Sequence, residues 1–113
     1  MPKYLVAIHH PDDYNPAIAE DAAMGREIDA LNEEMVAAGV RVFVGGLHSA
    51  GSAKSLRSDS DGRVLLSDGP YLRTNEHVGG FWVLEVPCLE DALVWGRKAA
   101  LACRSPVEVR QFH

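Results

Sequence analysis

Residues 67–71 are Ser67-Asp68-Gly69-Pro70-Tyr71, the most specific local signal in the chain. They follow an apolar run and mark the point where a strand must end. Gly69 permits a positive φ, and Pro70 has no N–H to donate to a sheet ladder. Asp68 is therefore predicted to lie at a strand end. Its carboxylate either caps backbone N–H groups of the turn or is a functional group of a site.

Strands are predicted on both sides of this stretch. Upstream, residues 54–58 and 63–67 flank Asp61-Gly62 and predict a β-hairpin with its turn at that dipeptide. Downstream, residues 71–78 predict a polar loop. Residues 80–86 then predict a central strand, because this segment is apolar on both faces until its last residues.

The N-terminal part of the chain predicts a β-α-β unit. Residues 3–8 and 40–44 are rich in strand formers. Between them, one long helix is predicted to open at Asn15-Pro16 and to end at Gly39. Its apolar positions recur at helical spacing, which predicts one buried face. These positions are Met24, Ile28, Leu31 and Met35.

The C-terminal part predicts a second β-α-β unit. Pro87 ends the central strand, and a helix with acidic residues in its first turn follows. Residues 107–110 alternate as a last strand. Two helices on one face of an antiparallel sheet, with the hairpin inserted between the units, predict an α+β sandwich of ferredoxin-like type.

Length and composition narrow the class of protein. At 113 residues, the chain is expected to be a single domain over 1–113. A net charge of -5 without a basic cluster argues against a nucleic-acid partner. No apolar run approaches the ~20 residues of a membrane span, and the first residues predict a strand instead of a secretory signal. A cytoplasmic protein without membrane association is therefore expected.

The two cysteines are predicted to be free thiols. Cys88 and Cys103 bracket a predicted helix of about 14 residues, which at ~1.5 Å per residue separates them by roughly 20 Å. A disulfide within one chain cannot span that distance.

Several motifs, spread over nearly the whole chain, combine into one family pattern. They are Lys3-Tyr4-Leu5, Ala38-Gly39-Val40, Gly45-Gly46-Leu47-His48, Ser67-Asp68-Gly69-Pro70, Gly79-Gly80-Phe81, and residues 90–95 and 107–110. In this combination the chain resembles the YCII-related proteins of the DGPF type. The resemblance implies a dimeric α+β barrel with a cleft on each subunit. The role of the family is largely undefined: some relatives are proposed to use a His-Asp pair, and one branch eliminates halide from a chlorinated hydroxyquinol.

The chain departs from the family pattern at a few positions. Tyr71 stands where phenylalanine is usual. In the loop that follows, Arg73 reverses a charge and Asn75 removes one, so no shared ligand contact is assigned to them. Asp68 and Glu76 match the pattern.

The candidate catalytic residues are a carboxylate and two imidazoles. Asp68 could pair with His48 or with His9, each at a predicted strand end. Such a pair provides acid/base chemistry near neutral pH, because histidine titrates there and the aspartate fixes its tautomer. For each histidine the alternative is a surface or packing residue. Further residues are candidates for the lining of a binding site, namely Gly69, Pro70, Tyr71, Glu76, Phe81 and Trp82.

Metal and cofactor sites are not predicted. His9-His10 and Asp12-Asp13 are close in sequence, but adjacent histidines on a strand diverge, and no zinc-type spacing is present. The sequence also lacks a glycine-rich phosphate loop.

Two functional hypotheses remain open. The first is an acid/base enzyme, lyase-like or hydrolase-like, that acts on a small metabolite. The second is a non-catalytic dimer that binds a small ligand or regulates a partner. A homodimer is expected under both, because the sheet would otherwise expose the apolar face that carries either Phe81 and Val83 or Trp82 and Leu84.

Overall fold

Six strands and three helices make up the computed structural model, which describes residues 1–113. The elements are β1 (Lys3–Pro11), α1 (Pro16–Ala19), α2 (Ala22–Ala37), β2 (Arg41–Gly46), β3 (Lys54–Ser58), β4 (Val64–Asp68), β5 (Glu76–Glu85), α3 (Leu89–Cys103) and β6 (Val107–Gln111). A single 3-10 turn, Ala50–Ser52, precedes β3. None of the helices combines the length and apolar character needed to cross a membrane.

The strands form two antiparallel sheets. The larger sheet has the order β2-β5-β1-β6, and β3 pairs with β4 in a separate sheet of two strands. Because β5 lies between β1 and β2 and is antiparallel to both, the helical segment between β1 and β2 is a crossover connection. The predicted mixed α+β class is confirmed, and this order is compatible with a ferredoxin-like fold.

The core lies between the larger sheet and helices α2 and α3. Val6 and Leu84 are completely buried there, and Trp82 is 2% exposed. The indole N–H of Trp82 donates to Asn32 Oδ1 at 2.9 Å, which satisfies the polar atom of this buried ring. The predicted helix face is also confirmed. Met24, Leu31 and Met35 are buried, and Ile28 packs against them.

The prediction of one long helix from Asn15 is wrong. The segment forms α1 and α2, with a break at Glu20 and Asp21. The Asp21 carboxylate accepts a hydrogen bond from the Met24 N–H at 2.8 Å and so caps α2. An aspartate that bonds the backbone in this way favours a new helix start over continuation. The predicted end is correct, since Gly39 adopts a φ of +72° directly after α2.

The predicted loop 71–78 is shorter than expected. β5 already begins at Glu76, because the polar residues at its start pair with the end of β1, where Pro11 lies opposite Glu76. Gly69 has a φ of +92°, as expected for the turn after β4. Cys88 and Cys103 are free thiols, as predicted, and burial raises the pKa of Cys103 to about 11.

The face of the larger sheet opposite the helices is uncovered, and we call it the open face. Phe81 and Val83 are half-buried there, and Phe43 is 52% exposed with its ring 5.7 Å from that of Phe81. The hairpin of β3 and β4 also exposes apolar side chains, since Leu56 and Leu66 lie opposite one another and are each 66% exposed. The radius of gyration is 16.1 Å, whereas a compact chain of this length has about 13 Å.

Candidate functional site

Strands β1 and β5 place two histidines opposite each other. His10 on β1 is the register partner of His77 on β5, and opposed residues of an antiparallel pair project from the same face of the sheet. Both line a cavity of about 190 Å³ together with His48, which follows β2. We call this space the histidine cavity. It gathers three imidazoles from three segments of the chain.

A β-bulge shapes the wall of the histidine cavity. Ile8 pairs with Gly80 and His9 pairs with Val78, so Gly79 has no partner on β1. A Cβ atom at position 79 would lie 2.1 Å from Nδ1 of His10. The His10 ring therefore occupies space that only a glycine leaves open.

The other side of the His10 ring is also fixed. The Tyr14 ring stacks on it with centroids 3.7 Å apart and an interplanar angle of 14°. Tyr14 in turn donates from its hydroxyl to Glu20 Oε2 at 2.7 Å. Burial and this hydrogen bond raise the pKa of Tyr14. The tyrosine thus stays protonated and holds both the ring and the carboxylate in place.

The histidine–aspartate pair of this site is His77 with Asp12. Nδ1 of His77 lies 2.6 Å from Asp12 Oδ1, although the two residues are 65 positions apart. Nε2 lies 2.9 Å from the backbone carbonyl of Leu72 and 3.2 Å from the Thr74 hydroxyl. A carbonyl and a carboxylate only accept, so this arrangement of partners favours the imidazolium form of the ring, in which both nitrogens donate. The Leu72 carbonyl and then Asp12 raise the pKa of His77 accordingly.

The pKa of His10 moves in the opposite direction. Burial lowers the pKa of this ring; the Glu20 carboxylate opposes the change, and His9 adds to it. The two opposed imidazoles, His10 and His77, therefore have pKa values displaced in opposite directions, so His77 keeps its second proton to a higher pH than His10 does. Titratable groups whose environments separate their pKa values in this way suit acid/base chemistry.

The structure does not pair Asp68 with either of its predicted partners, His48 and His9. Its side chain is 87% exposed, and its carboxylate lies 2.5 Å from Nζ of Lys54, the opposed residue on β3. No hydrogen bond or ion pair joins Asp68 to His48 or His9. Of these two histidines, His48 lines the histidine cavity and His9 does not. The cross-strand lysine explains the difference, because it provides the nearest opposite charge for the carboxylate.

Two of the predicted binding residues line a second, larger cavity of about 740 Å³. Pro70 and Tyr71 lie there together with Asp68. The turn before them is tied to the hairpin, since the carbonyl of Gly69 accepts from the Ser55 hydroxyl at 2.7 Å.

The remaining predicted binding residues lie elsewhere. Glu76 is exposed at the start of β5, and its carbonyl accepts from the Thr74 hydroxyl at 2.7 Å. Phe81 belongs to the open face, and Trp82 is buried in the core. None of the three lines either of the cavities described above.

Comparison with known proteins agrees with the family motifs. A model of the YCII-related domain matches residues 1–112. The chain belongs to this family. A protein of Rhizobium meliloti (strain 1021) described as uncharacterised is 32% identical over 78 residues, which is 69% of this chain and 62% of that protein. The match thus spans less than two thirds of the relative. The YCII-related family predicted from the motifs is confirmed.

Sequence reasoning missed the central residues of this YCII-related domain. In the sequence, His10 and Asp12 suggest at most a metal site, and His77 lies in a segment predicted to be a loop. No three His, Cys, Asp or Glu side chains are grouped so as to hold a metal ion. The available signal was the glycine pair at 79–80, which marks a close approach of neighbouring groups to the strand.

Proposed function

We propose that this YCII-related domain is an acid/base enzyme, lyase-like, that removes a proton from a small metabolite in the histidine cavity. The observation that carries the proposal is the pairing of His10 with His77, opposed across two strands with pKa values displaced in opposite directions. Neutral His10 is the base. It has the protonation state that proton removal requires, and it is held rigidly between Tyr14 and the Gly79 backbone.

The imidazolium of His77 has a different role. Both its N–H groups donate to protein acceptors, so it is not the proton donor. Its fixed positive charge stabilises the negative charge that develops on a substrate as the proton leaves. The His48 ring has no hydrogen bond within the chain and lines the same cavity, so we assign it to the protonation of a leaving group.

The test is exchange of carbon-bound hydrogen with solvent. The protein is incubated in D2O with 2-oxo acids, 3-oxo acids and hydroxylated aromatic compounds, and 1H NMR follows the loss of each C–H signal. We expect at least one compound to exchange faster than in buffer. The rate should be bell-shaped in pH, because activity requires neutral His10 at the acid limb and charged His77 at the alkaline limb.

Replacement of Asp12 tests the assignment within the same assay. Asp12→Asn removes a carboxylate that raises the pKa of His77, so the alkaline limb moves to lower pH while the acid limb stays. The matched control is Asp13→Asn, since Asp13 is exposed and makes no hydrogen bond to His77. If no compound exchanges faster with protein than without it, or if both variants keep the wild-type profile, the proposal is wrong. The first result would favour a non-catalytic binding protein.

We further propose that the protein is a homodimer in which a second copy covers the open face, as in the dimeric barrel that the resemblance implies. Two features support it. Half-buried Phe81 and Val83 lie beside the exposed ring of Phe43 on this face. The hairpin of β3 and β4 projects apolar side chains, and an isolated two-stranded hairpin is only marginally stable in water. Burial against a second copy would remove both apolar surfaces from solvent.

Sedimentation at micromolar concentration tests the dimer. We expect wild-type protein to sediment as a dimer and Phe43→Glu to shift it toward monomer, because the charge would be buried in the interface. Val36→Glu is the control, since Val36 is 55% exposed on α2, away from the open face. A wild-type monomer, or equal behaviour of the two variants, would refute the proposed interface.

A further inference from the structure

We infer that the larger cavity binds a small organic carboxylate with an apolar body, held by Arg57 and Arg73. We call this space the arginine cavity. This inference rests on the proposed function in one respect, which is that the bound carboxylate is taken to be the substrate. The binding itself is supported by the charges and the shape of the cavity. Its volume of about 740 Å³ lies within the usual range for small-molecule sites, about 300–1,000 Å³.

The charges that line the arginine cavity leave a positive excess. Asp12 pairs with the imidazolium of His77, and Asp68 pairs with Lys54. Each of the two carboxylates thus has its own partner within the chain. Arg57 and Arg73 line the same cavity without an ion-pair partner in the chain. Two free guanidinium groups in a protein of net charge -5 make this cavity a local site of attraction for anions.

The shape of the guanidinium group favours a carboxylate. Arginine presents a planar fork of donors that matches the two oxygens of a carboxylate, so a bidentate contact is available. Apolar surface lies beside these donors, because Leu65, Pro70 and Tyr71 belong to the same lining. A ligand with a carboxylate and an apolar body uses both kinds of surface.

The two cavities share a wall. Asp12 and His77 line the arginine cavity and the histidine cavity alike. An anion held by the arginines therefore occupies a cavity that His77 also lines. This arrangement explains how a substrate is oriented: its carboxylate is fixed on one side of His77, and its reacting carbon faces the other.

Benzoate is the probe, and benzamide is its neutral counterpart of the same shape. Binding is measured by calorimetry and by 1H–15N chemical shifts. We expect benzoate to bind at least tenfold more tightly than benzamide and to shift amides around residues 57, 73 and 77. The double variant Arg57→Gln/Arg73→Gln should weaken benzoate binding at least tenfold. Arg63→Gln removes one positive charge from the hairpin at a position outside the cavity lining. The affinity of this variant for benzoate should stay within twofold of that of the wild-type protein.

Other outcomes overturn the inference. Equal affinity for benzoate and benzamide, or undiminished binding by the double variant, would refute an anion site at the arginines. Tighter binding of inorganic phosphate than of benzoate would refute a carboxylate with an apolar body. The proposed function fails separately: benzoate binding that depends on the arginines without any hydrogen exchange supports the site and refutes the enzyme, whereas exchange without such binding refutes only the site.

Discussion

Replacement of His10 by glutamine is expected to lower the rate of catalysed hydrogen exchange by about 100-fold or more, the usual contribution of a positioned base. His10 is the imidazole of the histidine cavity to which we assign the role of base, and burial lowers its pKa. Glutamine keeps much of the size of the ring but cannot accept a proton at neutral pH. The measurement is the initial exchange rate, by 1H NMR, at the pH optimum of the wild-type protein.

The neighbouring histidine provides the control for this prediction. His9 lies next to His10 on β1, yet it does not line the histidine cavity. His9→Gln should therefore change the rate by less than about threefold. Denaturation of both variants checks that the fold is kept. Equal losses from the two substitutions, or full activity of His10→Gln, would remove His10 from the role of base.

Replacement of Leu84 by alanine is expected to lower the free energy of unfolding by about 2–5 kcal/mol. Leu84 is completely buried between the larger sheet and the helices, so the shorter side chain leaves a cavity in the core. Urea denaturation followed by circular dichroism measures the change. Protein concentration is held constant, because dimer formation would add to the apparent stability.

The control for this prediction is the same substitution on the surface. Leu101 lies on α3 and is 77% exposed. Leu101→Ala should change the free energy of unfolding by less than about 0.5 kcal/mol, because little apolar contact is lost and alanine favours a helix. A loss below 1 kcal/mol for Leu84→Ala, or similar losses for both variants, would contradict the assignment of the core.

Local patterns were sufficient to predict most of the fold. The spacing of Met24, Leu31 and Met35 defined the buried face of α2, because helical periodicity is a property of neighbouring residues. Gly39 marked the end of that helix for the same reason. The break before α2 was missed because the apolar periodicity was taken to continue through Asp21, whose capping bond to the Met24 N–H starts a new helix.

The candidate site depends on contacts that local patterns do not contain. Asp12 and His77 meet because β1 pairs with β5 in one particular register, and nothing near either residue specifies that register. The same limitation affected Asp68. Its sequence context predicted a strand end correctly, but its pairing with Lys54 became visible only when β3 and β4 were aligned.

The bulge at Gly79 gives β5 two phases of side-chain alternation. Counting back in steps of two from Leu84 and Trp82 leads to Gly80 and then to Val78, which would face His10 in a regular strand. The unpaired residue advances the count by one, so His77 takes that position instead. The side-chain alternation of residues 80–85 therefore does not determine which side chains of residues 76–78 face His10. Substitutions in the core between the larger sheet and the helices need not alter which side chain lies opposite His10. The residues of the site can therefore change while the core residues stay the same.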